Sequence, residues 1–206
     1  MQSSLKTGVW LGLFFLVLGW SAWKPHDYPT WWLEVLPAVA ALAILAATRR
    51  RFPLTQLAYW LILFHAVVLM VGGHYTYAEV PLGDWLANLA GGSRNNYDKL
   101  GHFAQGFVPA IIAREILLRK RVVAGRGWLS PIVVSICLAI SAFYELIEWW
   151  VALLSGAGAE AFLGTQGYAW DTQSDMFLAM MGAILALSAL SRLHDRQLRD
   201  LAKPVS

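Results

Sequence analysis

A single cysteine, Cys137, is too few for an intramolecular disulfide or a zinc finger. Charge is scarce as well: 14% of the 206 residues are Asp, Glu, Lys or Arg, against about 25% in soluble domains. Walker loops, dinucleotide fingerprints, serine nucleophile elbows, internal repeats and low-complexity tracts are all absent. The net charge of +3 comes from short basic clusters between apolar runs. That arrangement orients a membrane protein, and without any binder motif beside it, it argues against a nucleic-acid partner.

What the sequence has in abundance is apolar length. Hydrophobic residues make up 58% of the chain, and a helix needs about 20 mostly apolar residues to cross a bilayer. This predicts an all-α, polytopic membrane helix bundle, a single domain with about six spans near 7–23, 31–48, 54–72, 99–118, 130–154 and 171–191. The first run is kept as a span and not read as a signal peptide, because Trp20 and Trp23 stand where a cleavage site wants small residues. Several of the eleven tryptophans fall where apolar runs meet polar loops, as in an interfacial aromatic belt. Leu82, Trp85, Leu86 and Leu89, at helical spacing, predict a short helix on the membrane surface.

Positive charge gives the orientation. Lys6, the cluster Arg49, Arg50 and Arg51, Arg119, Lys120, Arg121, Arg126, Arg192, Arg196, Arg199 and Lys203 fall on one side of the predicted spans; Lys24, Arg94 and Lys99 fall on the other. Short cytoplasmic loops accumulate Lys and Arg, so both termini are expected in the cytoplasm. The loops at 73–98 and 155–170 then face outward. The longer of them ends in a turn-prone stretch, Gly91 to Asn96, that leads into the fourth span.

Three helices each carry a pair of ionisable groups on one face. Asp98 and His102 are four residues apart, Glu145 and Glu148 three, and Asp171 and Asp175 four. At a rise of about 1.5 Å per residue, His102 and Asp175 lie roughly 6 Å, and Glu148 roughly 9 Å, inward from the outer ends of their spans. They share a level, with Glu145 deeper and Asp98 and Asp171 at the rim. A carboxylate in a membrane span turns inward and pairs, protonates or binds a cation. Five carboxylates with one imidazole outweigh Lys99 and Arg94, and one divalent metal ion would resolve the imbalance. The plainer alternative is a structural polar network, with Asp98 and Asp171 as ordinary acids at helix starts. Arg114 and Glu115, near the basic end of the fourth span, are expected to snorkel.

The stretches Asn96-Tyr97-Asp98-Lys99-Leu100-Gly101-His102-Phe103, Phe143-Tyr144-Glu145-Leu146-Ile147-Glu148-Trp149 and Trp170-Asp171-Thr172-Gln173-Ser174-Asp175-Met176 resemble the YjdF-like family of bacterial inner-membrane proteins. More distantly, Asp98-Lys99-x-x-His102-Phe103 is similar to an element of the VanZ-like proteins. The resemblance implies an inner-membrane helical fold and names neither a reaction nor a metal.

The residues themselves suggest a metal-dependent hydrolase or transferase for a lipid-linked or cell-envelope substrate. Asp98, His102, Glu148, Asp171 and Asp175 would be ligands, and Glu145, with His102, would carry the catalysis. Lys99, Arg94 and His74 would bind substrate. A cation- or proton-coupled transporter, or a subunit that binds a membrane-protein partner, are the alternatives. Membrane lipids are partners in every case.

Overall fold

The computed structural model describes residues 2–89, 91–124, 127–155 and 165–202. Arg126, Lys203 and residues 156–164 of the expected outer loop lie outside the described residues. Among those described there are seven α-helices and no strand. They are α1 (Gln2–Ala22), α2 (Tyr28–Thr48), α3 (Gln56–Tyr75), α4 (Pro81–Leu89), α5 (Tyr97–Arg119), α6 (Leu129–Ser155) and α7 (Asp171–Leu201), with a 3-10 turn at Tyr77–Glu79 before α4. The chain is thus an all-α polytopic membrane protein, and each expected span corresponds to a helix.

Five of these helices, α1, α2, α3, α6 and α7, are long and apolar enough to cross a membrane. The sixth expected span, α5, has 23 residues, roughly 34 Å of helix, but is interrupted by His102, Gln105, Arg114 and Glu115. Its burial explains how such a helix persists: Ala104, Val108, Ala110 and Ile111 are all buried, and so are Arg114 and Glu115. A helix enclosed by protein has no need of an apolar surface all round.

The chain forms two compact units. The first comprises Met1–Ala47, Ile62–Gly101 and Trp150–Ala169. Here the Trp31 indole donates to Ser21 Oγ (3.2 Å), and the His74 ring meets the Ser21 carbonyl (3.0 Å), tying α2 and α3 to the end of α1. Tyr77 lies in a buried cluster with Val68, Val80 and Tyr97. Its ring occupies the space that a side chain at Gly72 or Gly101 would need, and the Tyr97 hydroxyl donates to the Val68 carbonyl (3.0 Å). Helix α4 packs through Gly83 and Ala87 and leaves Leu82, Trp85, Leu86 and Leu89 exposed.

The second unit comprises Thr48–Leu61, His102–Trp149 and Trp170–Ser206. Within it α5 and α7 meet backbone to backbone. A Cβ at Gly106 would overlap the Ala179 carbonyl, and one at Gly182 would overlap the Phe103 carbonyl. Ala179, Ala183 and Ala186 are fully buried along the same stretch of α7. Small residues that let backbones approach are the usual device for joining membrane helices. The contacts run in the same order along both helices, from His102 with Asp175 to Arg114 with His194, so α5 and α7 are parallel.

Candidate metal centre

The close approach of α5 and α7 sets the geometry one turn earlier on each helix. His102 precedes Gly106 by four residues and Asp175 precedes Ala179 by four, so the two side chains leave the helices toward each other. His102 Nε2 lies 4.0 Å from Asp175 Oδ2, and Nδ1 lies 3.8 Å from Glu145 Oε1 on α6. Donor atoms of His102, Glu145 and Glu148 all fall within 4.8 Å of one another. His102, Glu145 and Asp175 are buried, and the Tyr144 ring meets the imidazole edge-on at 6.2 Å.

The hydrogen-bonding capacity of His102 defines what the cluster can do. Nδ1 lies 3.3 Å from Gln105 Oε1 and 3.8 Å from Glu145 Oε1, so a proton on that nitrogen has two acceptors on its side of the ring. Nε2 lies 4.0 Å from Asp175 Oδ2, so the imidazole stands between a carboxylate of α6 and one of α7. The 4.0 Å spacing is longer than a direct hydrogen bond. It suits two donors on one cation, each about 2.0 to 2.3 Å from the ion. A ligand histidine whose other nitrogen is held by an amide oxygen is the ordinary arrangement at metal sites.

The remaining expected site residues are placed as follows. Asp98, in the first turn of α5, and Asp171, in the first turn of α7, are both buried and precede His102 and Asp175 by one turn on their own helices. Just before α5, Asn95 Oδ1 accepts from Tyr97 N (3.1 Å) and turns the chain into the helix.

Arg94 and Lys99 belong to the first unit, where their cationic groups lie 5.1 and 5.2 Å from the centre of the Tyr168 ring. Arg94 also donates to the Thr165 carbonyl (2.6 Å). Gln166 pairs its side-chain amide with both Asn95 N and Asn95 O (3.2 and 2.8 Å), at a left-handed φ of 45°. His74, in the first unit, is engaged by the Ser21 carbonyl and by the Trp20 ring, 4.5 Å between centroids.

A second ionisable cluster was not expected from the sequence, and it corrects the snorkelling assigned to Arg114 and Glu115. Both are buried in the second unit, with His194 fully buried beside them. Glu115 accepts from Thr55 N and Oγ1 (3.1 and 2.8 Å), from Arg119 Nη1 (2.7 Å) and from His194 Nε2 (3.1 Å). Arg114 donates to His194 Nδ1 (3.1 Å) and to Asp195 (2.7 Å). Protein partners hold these charges inside, where lipid would not. The signal lies past residue 191, where α7 continues as helix although its apolar run has ended.

A helical bundle with apolar spans and a buried imidazole–carboxylate cluster defines a class, the integral membrane protein with ionisable groups inside its fold. Residues 7–196 match the family described as Predicted membrane protein (DUF2238), and the chain belongs to that family. It is 55% identical over 184 residues to the inner membrane protein YjdF of Escherichia coli (strain K12), a match covering 89% of this chain and 88% of that one. No solved structure matches. That relative and the apolar helices make this an integral inner-membrane protein.

Proposed function

We propose that the protein is a metal-dependent hydrolase or transferase that acts on a lipid-linked or cell-envelope substrate at the outer face of the inner membrane. The observation that carries this reading is the convergence of His102, Glu145 and Glu148 donor atoms within 4.8 Å of one another, with Asp175 Oδ2 4.0 Å from His102 Nε2. His102, Glu148 and Asp175 would hold the cation; Asp98 and Asp171, each one turn earlier on its helix, are the further ligands assigned. A divalent cation held there supplies the charge that acidifies a water and polarises an ester or phosphoryl oxygen. Glu145 would serve as general base and take the proton of that water on its carboxylate, with His102 Nδ1 beside it at 3.8 Å.

Arg94 and Lys99, gathered on Tyr168, are assigned to an anionic headgroup, and His74 to its rim. The excess of Lys and Arg on one side of the spans favours both termini in the cytoplasm. The parallel course of α5 and α7 agrees with a shared outer starting side.

The test is release of phosphate or headgroup from phosphate-bearing lipids in proteoliposomes, with and without added Mg²⁺, Mn²⁺ or Zn²⁺ and after chelation. Metal-dependent turnover lost in Glu145→Gln is expected. Turnover unaffected by chelation contradicts the reading.

A cation- or proton-coupled transporter is the second reading, and one observation favours it: α5 and α7 carry buried ionisable groups toward both of their ends. Against it stands the backbone contact at Gly106 and Gly182, which closes the space between the two helices between those ends. Uptake driven by a pH gradient in the same vesicles would support the transporter.

A further inference from the structure

The cluster at the arginine-rich end of α5 and α7 works only with a neutral imidazole. A guanidinium is always a donor, so the Arg114 Nη1 contact makes His194 Nδ1 an acceptor. The ring proton must then sit on Nε2, where it is donated to Glu115. Every charged group facing the ring enters this balance: Arg114, Glu115 and Arg119 from α5, and Asp195 from α7. Thr55, at the start of α3, adds two neutral donors. Two carboxylates and two guanidiniums cancel, and an uncharged imidazole completes a network in which its donor and its acceptor are both used.

We infer that His194 is a proton-binding site, and that its ligand, a proton taken on Nδ1, releases Arg114 and loosens α7 from α5 at this end. The added N–H points at the Arg114 donor, so a hydrogen bond becomes a contact between two cations in a site closed to water. Arg114 keeps Asp195, which is partly exposed, and can swing outward with it. Glu115 keeps its imidazole donor, so the break falls on one named contact. The proposal is independent of the metal reading, since none of these residues belongs to the His102 cluster.

The test compares the full-length protein with His194→Gln in detergent. Glutamine offers an amide oxygen to Arg114 and an amide N–H to Glu115, so it keeps both bonds without titrating. Between about pH 8 and about pH 5, the range in which histidine changes charge, the wild type is expected to lose at least about 3 °C of melting temperature more than the variant. Parallel curves would overturn the proposal.

Should the variant fail to fold, hydrogen exchange of the wild type decides alone. After correction for intrinsic rates, residues 191–201 are expected to lose protection by about tenfold on acidification while residues 179–187 keep theirs. Equal protection of 191–201 at both pH values would overturn it.

Discussion

His102 and Asp175 stand 4.0 Å apart because the helices that carry them touch one turn further on, where Gly106 lies against the Ala179 carbonyl. The polar site and the small-residue contact are therefore one construction. Gly106→Ala forces a methyl into backbone that cannot swing aside. Such overpacking costs about 1 to 3 kcal/mol, and a fall in melting temperature of the purified variant is the expected result. Gly182→Ala should behave alike, since its Cβ would meet the Phe103 carbonyl. A melting curve unchanged in both would contradict the close approach.

Glu115 is the acceptor on which Thr55, Arg119 and His194 converge. Replacing it with alanine strands a guanidinium and an imidazole donor in a buried site, and breaking a buried ionic group from one side costs about 3 to 5 kcal/mol. Glu115→Ala should fold in markedly lower yield than Glu115→Gln, which keeps an acceptor oxygen. Equal yields and equal melting profiles would count against the network.

Asp27 tests a surface element with a defined sign. Its Oδ2 accepts from Thr30 N at the start of α2 (2.7 Å). Hydrogen bonds from Thr30, first from the side chain and then from the backbone, with a smaller pull from His26, hold this carboxyl below its ordinary value of 3.8. A depressed native value means that the contribution is complete above the unfolded value. It disappears as pH falls through the lower native one. Melting measured from about pH 6 down to about pH 2 should therefore converge for wild type and Asp27→Asn at the acid end. At neutral pH the variant should lack only the charge-dependent part of the cap, a few tenths to about 1 kcal/mol, since an asparagine oxygen still accepts from Thr30 N. A gap that stays constant across the range would refute the assignment.

Asn95 is buried and joins three segments: its Nδ2 donates to the Val80 carbonyl (2.9 Å) and to Asp84 (2.7 Å), and its Oδ1 accepts from Tyr97 N (3.1 Å). Asn95→Ala leaves these groups without that side chain and should cost about 2 kcal/mol or more. Asn96→Ala, one residue on but exposed, should cost under about 0.5 kcal/mol. Equal effects in the two variants, read by thermal melts, would contradict the role given to Asn95.

Apolar length makes the helices legible, and it understates two of them for the same reason. Helix α5 carries polar residues along its expected span and falls outside the five helices picked out by length and apolarity, and the apolar run of α7 ends near residue 191 although the helix continues to Leu201. Lipid selects for apolar runs, but protein neighbours accept polar residues, and a hydropathy pattern reports only the first. The His102 cluster is legible because its ionisable pairs recur at spacings of three and four residues on three helices.

The Glu115 to His194 bond joins residues 79 apart in sequence. Nothing local distinguishes a buried acid at a basic helix end from a snorkelling one. Asn95 and Tyr77 were missed because one polar side chain or one aromatic in a loop carries no periodicity. Glu34, buried inside α2, was hidden in an otherwise apolar run.

The metal content of the purified protein tests the central claim most directly. Wild type isolated without chelator should carry about one divalent ion per chain, held by the ligands assigned to it, His102, Glu148 and Asp175 with Asp98 and Asp171. Chelation should remove that ion, and restoring it should raise the melting temperature by mass action. His102→Ala and Asp175→Ala should lose the metal and still fold, because the remaining carboxylates can protonate when the cation is gone. A wild-type protein with no stoichiometric metal after isolation or after reloading with Mg²⁺, Mn²⁺, Fe²⁺ and Zn²⁺, together with a large fall in melting temperature in both variants, would contradict the metal centre. The cluster would then be a structural polar network.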